Sequence, residues 1–446
     1  MRSSTAAFPP GPPGIPLFGN MLQYMRDPTG SFIRSRGYGD VSSFRFFTVP
    51  VLVLSSAEAV EHVLVRNARN YVKDKYQREI ARELFGDGLL MSEGEHWKRQ
   101  RRMIQPSFHK ERVRGYAQQM VEATEAWLAR WRAGEVRDLY TELVALTLDI
   151  VGRTLFGSKL EGRAAEVSRS LAAVMEFVME ISGRVIPLPR WVPTPRQLRY
   201  RAAIASLDRL CEALIQERRA SGEKREDLLG MMLEARDEDD GGGMSDRQLR
   251  DEVVTLVLAG HETTALTLTY ALWLLGRHPE AEATLREELS RVLGGRTPTV
   301  EDLPALSFTE FVIKESMRLY PPAWSLSRAA VNDDEICGVK VKAGQMVSFA
   351  PWALHRDPRY FEAPEAFRPE RWAHDFEHKL PRGAYFPFGG GPRMCIGASF
   401  AQVEAKLLLA SMIQRFHFEP KIDSMELLPS ITLRPKNGLP MALRAV

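Results

Sequence analysis

The chain has 446 residues, which excludes a small binding module or a disulfide-stapled peptide, and its length alone would allow about three domains. Apolar residues make up 44% and charged residues 26%, close to the globular average, so a disordered chain is excluded. Lys and Arg number 60 against 57 Asp and Glu, and a net charge of +3 gives no overall attraction to nucleic acid.

The amino-terminal residues contain no apolar stretch of the length that a signal peptide requires, and no stretch approaches the ~18 apolar residues of a membrane-spanning helix. The three cysteines, Cys211, Cys337 and Cys395, are too few and too scattered for a disulfide framework. We therefore expect a cytoplasmic protein without a transmembrane anchor. Residues 9–16 are rich in proline and glycine, so residues 1–20 are expected to form a stiff, extended lead-in.

Two strand pairs are predicted from runs of apolar and β-branched residues. The first pair is Val41–Phe46 with residues 51–54, and the second is a hairpin of Val339–Val341 with Met346–Phe349 that turns at Gly344. Most other periodic segments predict helix, including residues 116–133, 139–155, 203–219 and 407–416. The acidic and glycine-rich residues 237–243 predict a solvated surface loop. The expected fold class is therefore mainly α with a minor β component.

The longest predicted helix begins after Ser245, whose spacing to Gln248 fits a capping box, and it ends before His278 and Pro279. At a rise of ~1.5 Å per residue, such a helix would cross the whole molecule. Residues 253–275 are apolar on nearly all faces, which predicts that the middle of the helix is buried.

A polar run, Ala259-Gly260-His261-Glu262-Thr263-Thr264, interrupts the apolar middle of that helix. A glycine, a carboxylate and hydroxyls inside a buried helix cost stability unless something uses them. Two interpretations remain open at this point. The run is either a polar cluster with satisfied hydrogen bonds that bends the helix, or an active-site acid–alcohol pair that lines a cavity.

Cys395 follows three glycines and precedes Gly397. Glycines let the backbone come close to a bulky partner and turn N–H groups toward the sulfur. The periodic residues 398–413 predict a helix that begins just after the cysteine, and a helix N-terminus favours the thiolate form.

Several functions of Cys395 are open from the residues alone. A lone cysteine is usually inert core filler. A nucleophile would need a histidine base, and the nearest that precede it in sequence are His355, His374 and His378, but no protease-type signature surrounds the cysteine. No Gly-Lys-Ser/Thr follows, as a phosphate-binding loop would require. An axial ligand of haem iron needs only one sulfur and fits the pattern.

Five segments, in this order along the chain, resemble motifs of the cytochrome P-450 superfamily. They are Trp97-Lys98-Arg99-Gln100-Arg101, the run from Ala259 to Thr264, Glu315-Ser316-Met317-Arg318, Phe367-Arg368-Pro369-Glu370-Arg371-Trp372, and the haem-binding signature Phe388-x-x-Gly391-x-Arg393-x-Cys395-x-Gly397. The resemblance covers essentially the whole chain. It implies the cytochrome P-450 fold, a single large domain over residues 1–446 with a long central helix over haem.

The resemblance also implies a cofactor, heme b (iron protoporphyrin IX), and a role for each matching residue. Cys395 would be the iron ligand, with the cofactor-binding residues Trp97, Arg101, Arg328, Phe388, Arg393 and Gly397 around the ring and its propionates. Thr263 and Glu262 would be catalytic and relay protons to O2. Ala259, Ala323 and Trp324 would border the substrate pocket. Glu315, Arg318 and Arg371 would form a structural salt-bridge triad.

The implied reaction is the hydroxylation or epoxidation of a lipophilic small molecule with O2 and two electrons. No flavin or ferredoxin domain follows Cys395, so we expect a ferredoxin or flavodoxin with its reductase as a separate partner, docking on Lys98, Arg99, Arg102 and Lys406. Residues 71–90 and 174–200 would close the pocket. The alternatives are a peroxide-driven peroxygenase or an isomerase, a non-catalytic haem-thiolate sensor or binding protein, and a cysteine hydrolase without haem.

Overall fold

The computed structural model describes residues 8–158, 160–183, 194–223, 225, 227–236 and 241–446. Its α-helices are α1 (Met21–Arg26), α2 (Pro28–Ser35), α3 (Ala57–Glu61), α4 (Lys75–Phe85), α5 (Gly94–Ile104), α6 (Lys110–Leu128), α7 (Leu139–Phe156), α8 (Ala164–Gly183), α9 (Pro195–Ser221), α10 (Leu228–Glu234), α11 (Asp246–Leu275), α12 (Pro279–Leu293), α13 (Ser307–Leu319), α14 (Pro351–Leu354), α15 (Phe376–Lys379) and α16 (Ala398–Arg415).

The strands are β1 (Val41–Phe46), β2 (Val49–Leu54), β3 (Tyr71–Val72), β4 (Val136–Asp138), β5 (Leu326–Ala330), β6 (Asp334–Ile336), β7 (Val339–Val341), β8 (Met346–Phe349), β9 (Phe416–Pro420), β10 (Leu427–Pro429), β11 (Leu433–Pro435) and β12 (Pro440–Ala445). Helices account for 57% of the structure and strands for 12%, which confirms the mainly helical class with a minor β component.

The predicted helices are present, but α6 and α9 begin earlier than their apolar periodicity indicates. α9 begins at Pro195, where the Thr194 hydroxyl accepts a hydrogen bond of 3.2 Å from the Gln197 N–H and caps the helix. Capping residues and a proline in the first turn stabilise a helix start without contributing to an apolar stripe. Periodicity therefore marks where a helix is buried rather than where it begins.

The described residues divide into two compact units, each formed from two stretches of chain. The first unit contains the residues up to Arg78 and Lys314–Cys395. Its five-stranded sheet has the order β1-β2-β8-β5-β3. The predicted pair of β1 and β2 is confirmed and is antiparallel, and β8 lies parallel to β2 and antiparallel to β5. The apolar core of this unit includes Leu52, Leu54, Val347, Phe349 and Phe386.

The predicted hairpin of β7 with β8 is wrong, although both strands have the predicted bounds. β7 pairs with β6 instead, through a turn at Cys337 and Gly338 with φ of +48° and +78°. Two successive residues at positive φ match the tight hairpin turn whose twist suits paired strands. Gly344 donates its N–H to the carbonyl of Ala330 at 2.8 Å, and the chain then enters the larger sheet as β8.

The second unit contains Glu79–Ile313 and Ile396–Val446. Here α11 packs against α7, α9 and α16, while α16 also packs against α6. A small sheet has the order β4-β12-β9, and β10 pairs with β11. The predicted capping box of α11 is confirmed, because the Ser245 and Gln248 side chains each accept from the other's backbone N–H. With 30 residues, α11 is about 45 Å long.

Parts of three predictions lie outside the described residues: the lead-in before residue 8, residues 184–193 of the segment 174–200, and residues 237–240 of the acidic loop. Residues 8–14 contain no helix, and the Pro9 and Pro10 carbonyls accept hydrogen bonds from Ser43. Throughout the described part of the chain, no helix combines the length and hydropathy that a membrane crossing needs. That residues 1–446 form a single domain stays a prediction.

Candidate active site

Cys395 lies at the end of a glycine loop that packs tightly on the first unit. Gly389 and Gly391 have φ of +73° and +62°. A Cβ at Gly391 would lie 1.8 Å from the carbonyl oxygen of Leu64, so both conformation and contact require glycine there. The Cys395 N–H donates to the Phe388 carbonyl at 2.9 Å and closes the loop, and the Cys395 side chain is exposed.

These residues fit a haem group. An iron porphyrin needs one axial ligand from the protein, and an exposed thiol on a well-packed loop can supply it. Gly397 has an ordinary φ of −86°, and a Cβ there would meet only the Phe108 ring at 3.7 Å. The absence of a side chain at Gly397 thus leaves open space beside the backbone, and a flat ring can lie close to the backbone there. Cys211 offers no such site, because burial raises the pKa of its thiol to about 12.

The four side chains predicted to hold the propionates are half-buried and lie in two groups. In the second unit, Trp97 and Arg101 share one face of α5, with the guanidinium carbon 5.9 Å from the indole centroid. In the first unit, Arg328 on β5 donates to the Ser327 carbonyl at 2.7 Å, and Arg393 lies in the turn that precedes Cys395. A half-buried guanidinium keeps its charge, so each arginine is suited to pair with an anion.

Glu315, Arg318 and Arg371 meet in one buried ion cluster of the first unit. The Arg318 guanidinium binds Glu315 in a bidentate manner, with Nε–Oε2 and Nη2–Oε1 distances of 2.9 and 2.8 Å, and both side chains are 0% exposed. Arg371 Nε donates to Oε1 of the same carboxylate at 2.9 Å. One carboxylate faces two guanidiniums, and Arg318 places its remaining N–H groups on the carbonyls of His355, Pro364 and Ala366.

Two further donors to Glu315 were not assigned from the sequence. The Trp372 indole N–H and the Arg368 backbone N–H both donate to it at 2.9 Å. Both residues belong to the Phe367–Trp372 motif, so the sequence held a signal for them. With these donors, both oxygens of the buried Glu315 carboxylate accept hydrogen bonds, as a buried charge requires.

Beyond its first turns, α11 is exposed in one place only. From Asp251 to Leu275, a stretch described throughout, every residue is buried except Ala259, Gly260 and Thr263. We call these three residues the notch. The Thr263 hydroxyl donates to the Ala259 carbonyl at 2.8 Å. A buried helix that opens at one glycine-containing turn provides a surface on which a small molecule can sit.

Glu262 does not face the notch, which corrects the expectation that it lines one cavity with Thr263. Its carboxylate is 5% exposed and pairs with the Arg434 guanidinium at 2.6 Å. The Tyr140 and Thr432 hydroxyls donate to it at 3.0 and 3.1 Å. Consecutive helix residues point about 100° apart, and the guanidinium holds the carboxylate in a direction different from that of Thr263. No local pattern in the sequence indicates Arg434, which lies far along the chain on β11.

The three residues predicted to border the substrate pocket differ in their exposure. Ala259 is exposed in the notch, and Ala323 is half-buried in the first unit. Trp324 is only 3% exposed, and its ring packs edge to face on Phe32 with the centroids 5.9 Å apart. In this structure the indole is therefore part of the packing of its unit rather than an open wall.

Comparison with family models matches residues 9–440 of the chain to the cytochrome P-450 family. Among curated proteins, the chain is 37% identical to cyclooctatin synthase of Streptomyces melanosporofaciens, over 95% of this chain and 91% of that protein. It is 36% identical to cyclooctat-9-en-7-ol 5-monooxygenase of the same organism, over 92% and 89% of the two chains. It is 35% identical to pentalenene oxygenase of Streptomyces avermitilis, over 92% of each chain.

These matches extend over nearly the whole chain, and they confirm the family, the fold and the heme b cofactor that the five motifs imply. A monooxygenase of this kind requires O2, an organic substrate and a redox partner. The chain belongs to the cytochrome P-450 family and is a haem-thiolate monooxygenase.

Proposed function

We propose that this monooxygenase hydroxylates a cyclic terpenoid, either a hydrocarbon or its mono-alcohol. The names of two relatives give such substrates, pentalenene and cyclooctat-9-en-7-ol. The observation that carries the proposal is the notch, which offers a substrate the methyl groups of Ala259 and Thr263 and one side-chain hydroxyl. A surface with that composition suits a largely apolar molecule that carries few polar groups.

The haem, bound through Cys395, supplies the activation of O2 and the cleavage of its O–O bond. In this proposal the rest of the chain orients the cofactor and delivers protons. Trp97 and Arg101 on α5, with Arg328 and Arg393 of the first unit, bind the propionates. Phe388 closes the loop of Cys395 through its carbonyl, and this contact holds the backbone of the cysteine in place.

Proton delivery is assigned to Thr263, Glu262 and Tyr140. The Thr263 hydroxyl uses its hydrogen on the Ala259 carbonyl, so its oxygen can accept from a water in the notch. Glu262 reaches that water only when its side chain turns away from Arg434. The Tyr140 side chain is partly exposed and its hydroxyl donates to Glu262, which supports a path for protons from solvent to the carboxylate.

We propose that the electrons come from a ferredoxin or flavodoxin with its reductase, and that the partner docks on basic residues of α5. Lys98 and Arg102 are exposed there. Arg99 donates to the Gly242 carbonyl, and Lys406 is largely buried against Glu310, so these two residues contribute less to such a surface. Docking through exposed charges weakens as salt is added.

We propose that the protein is located in the cytoplasm. Cys211, Cys337 and Cys395, all described in the structure, form no disulfide. A reducing compartment keeps the Cys395 thiolate available to iron and protects the exposed Cys337 from oxidation.

The test combines an optical spectrum with a substrate screen. In the reduced protein with carbon monoxide, thiolate ligation shifts the main band far to the red, and Cys395→Ala should abolish that band. The holoenzyme is then titrated with pentalenene and other cyclic terpene hydrocarbons and mono-alcohols, and a spin-state change is expected with some of them. With a surrogate ferredoxin and its reductase, isotopically labelled O2 should appear in the product. Turnover with peroxide alone, and none with reductant and O2, would refute the proposed electron supply.

A further inference from the structure

Glu404 on α16 is a buried carboxyl that the proposed mechanism does not use. Its side chain is 0% exposed, and among the described residues neither oxygen has a hydrogen bond of good geometry. Burial raises its pKa to about 8, and the nearby Thr264 hydroxyl on α11 opposes that shift. At neutral pH the group is therefore mainly the neutral acid, with one O–H that can donate.

Thr264 differs from the neighbouring threonines of α11. Thr263, Thr267 and Thr269 donate their hydroxyls to the carbonyl four residues earlier at 2.8, 2.9 and 2.7 Å. The corresponding distance from Thr264 to the Gly260 carbonyl is 3.5 Å, at the limit of a hydrogen bond. Thr264 thus lies between two partners, Gly260 in the notch and Glu404 behind it.

The protonation of Glu404 decides which of these partners the Thr264 hydrogen serves. When Glu404 is the neutral acid, its O–H can donate to the Thr264 oxygen, which leaves the Thr264 hydrogen for the Gly260 carbonyl. When Glu404 is ionised, it can only accept, so it takes the Thr264 hydrogen. The Gly260 carbonyl then has a lone pair that a water in the notch can use.

We propose that Glu404 is a positioning residue: through Thr264 it controls whether the Gly260 carbonyl is available to hold a water in the notch. This inference rests on the proposed function, because the water is the one that Thr263 also binds. Passing from the first arrangement to the second releases one proton from Glu404 to solvent, and Thr264 redirects the hydrogen that it already carries.

Several charged groups on the helices packed against α16 are engaged with other partners. Tyr116 of α6 packs on Phe400, Glu125 of α6 pairs with Arg415, and Arg286 of α12 donates to the carbonyl of Ile413. On α11, Glu262 pairs with Arg434, and His261 Nδ1 bonds to the Val257 carbonyl. Burial and the Thr264 hydroxyl account for the shifted pKa of Glu404.

Infrared spectroscopy of the holoenzyme tests the contact directly, without activity. A buried neutral acid gives a carbonyl stretch that disappears on ionisation. Glu252 on α11 is a matched control, since it is 0% exposed and burial raises its pKa also to about 8. We expect Glu404→Gln to remove one band that titrates near pH 8, and Glu252→Gln to remove the other. Thr264→Val should shift only the Glu404 band, whereas Thr269→Val should shift neither.

The consequence for the notch is measured as the yield of hydrogen peroxide per NADPH between pH 6.5 and 9, with surrogate ferredoxin and its reductase and no substrate. The wild type should change yield in step with the Glu404 band. Glu404→Gln and Thr264→Val should flatten that profile, and Glu252→Gln should keep it. The inference is overturned if the Glu404 band does not shift in Thr264→Val, or if the pH profile of the peroxide yield is unchanged in Glu404→Gln. Loss of the red-shifted carbon monoxide band in the wild type would instead refute the proposed function.

Discussion

The Nε2 atom of His355 accepts a hydrogen bond of 3.0 Å from the backbone N–H of Phe386, two residues before the cysteine loop begins at Phe388. The carbonyl of His355 accepts from Arg318 at 2.8 Å. A single buried histidine thus connects the ion cluster around Glu315 with the start of the loop that carries Cys395. Burial, followed by the charges of Arg318 and Arg356, lowers the pKa of His355 well below its ordinary value, so the ring is neutral and can accept.

Replacing His355 by leucine should leave the Phe386 N–H buried without a partner. Such a loss costs about 1–3 kcal/mol, and we expect the haem to dissociate faster because the loop loses an anchor. In His355→Gln the amide oxygen can accept the same hydrogen bond, so the stability and the haem dissociation rate of this variant should be close to those of the wild type. Haem transfer to apomyoglobin and urea unfolding measure both effects. Equal haem loss in the two variants would contradict the anchoring role.

The same residue predicts a pH dependence of stability. Between the ordinary pKa of 6.5 and its lower folded value, the unfolded chain binds one more proton than the folded chain at His355. The free energy of unfolding should therefore fall as the pH decreases below about 6.5, by up to about 1.4 kcal/mol per pH unit. Burial also lowers the pKa of His261, which stays in both proteins, so the difference between wild type and His355→Gln isolates His355. Parallel curves from pH 7.5 to 5 would exclude this contribution.

Arg318→Ala should yield a haem-free, misfolded chain. The substitution leaves the fully buried Glu315 with one guanidinium instead of two and removes the donors to the carbonyls of Pro364 and Ala366. Breaking a buried ion pair on one side costs about 3–5 kcal/mol. Arg368→Ala is the control, because the side chain of Arg368 is exposed and only its backbone N–H binds Glu315. The ratio of haem to polypeptide is the measurement, and a soluble, haem-loaded Arg318→Ala would refute the structural role.

Thr263→Ala should keep haem and substrate binding but lower the product formed per electron by about 10-fold or more, since it removes the hydroxyl that holds water in the notch. Thr269→Ala is the matched control, a buried threonine of the same helix that donates to the carbonyl of Ala265. Product and NADPH consumption are measured together. Unchanged coupling in Thr263→Ala would remove Thr263 from the proposed mechanism.

Arg434→Met should destabilise the protein by about 3–5 kcal/mol, because it leaves the Glu262 carboxylate buried without its guanidinium. Adding Glu262→Gln to Arg434→Met removes the uncompensated charge, and the double variant should regain most of the lost stability. Urea unfolding of the two single variants and the double variant gives the coupling energy. If the single effects simply add, the ion pair is not what holds Glu262 away from the notch.

The sequence predicted what depends on neighbours along the chain. The capping of α11 at Ser245, the pair of β1 with β2, and the glycine loop before Cys395 are all local patterns. The failures depended on distant partners. β8 pairs with β2, and the side chain of Glu262 pairs with Arg434. The residues next to β8 and to Glu262 in the sequence do not indicate either partner.

The way in which Arg318 is held has a consequence for engineering. Its guanidinium fixes the chain at His355, Pro364 and Ala366 through carbonyl oxygens, which every amino acid possesses. Side chains between these points can therefore vary without losing the contacts, whereas an inserted or deleted residue would move the carbonyls out of reach. In a mutational library, the exposed positions of this stretch should accept substitutions, and the stretch should reject changes of length.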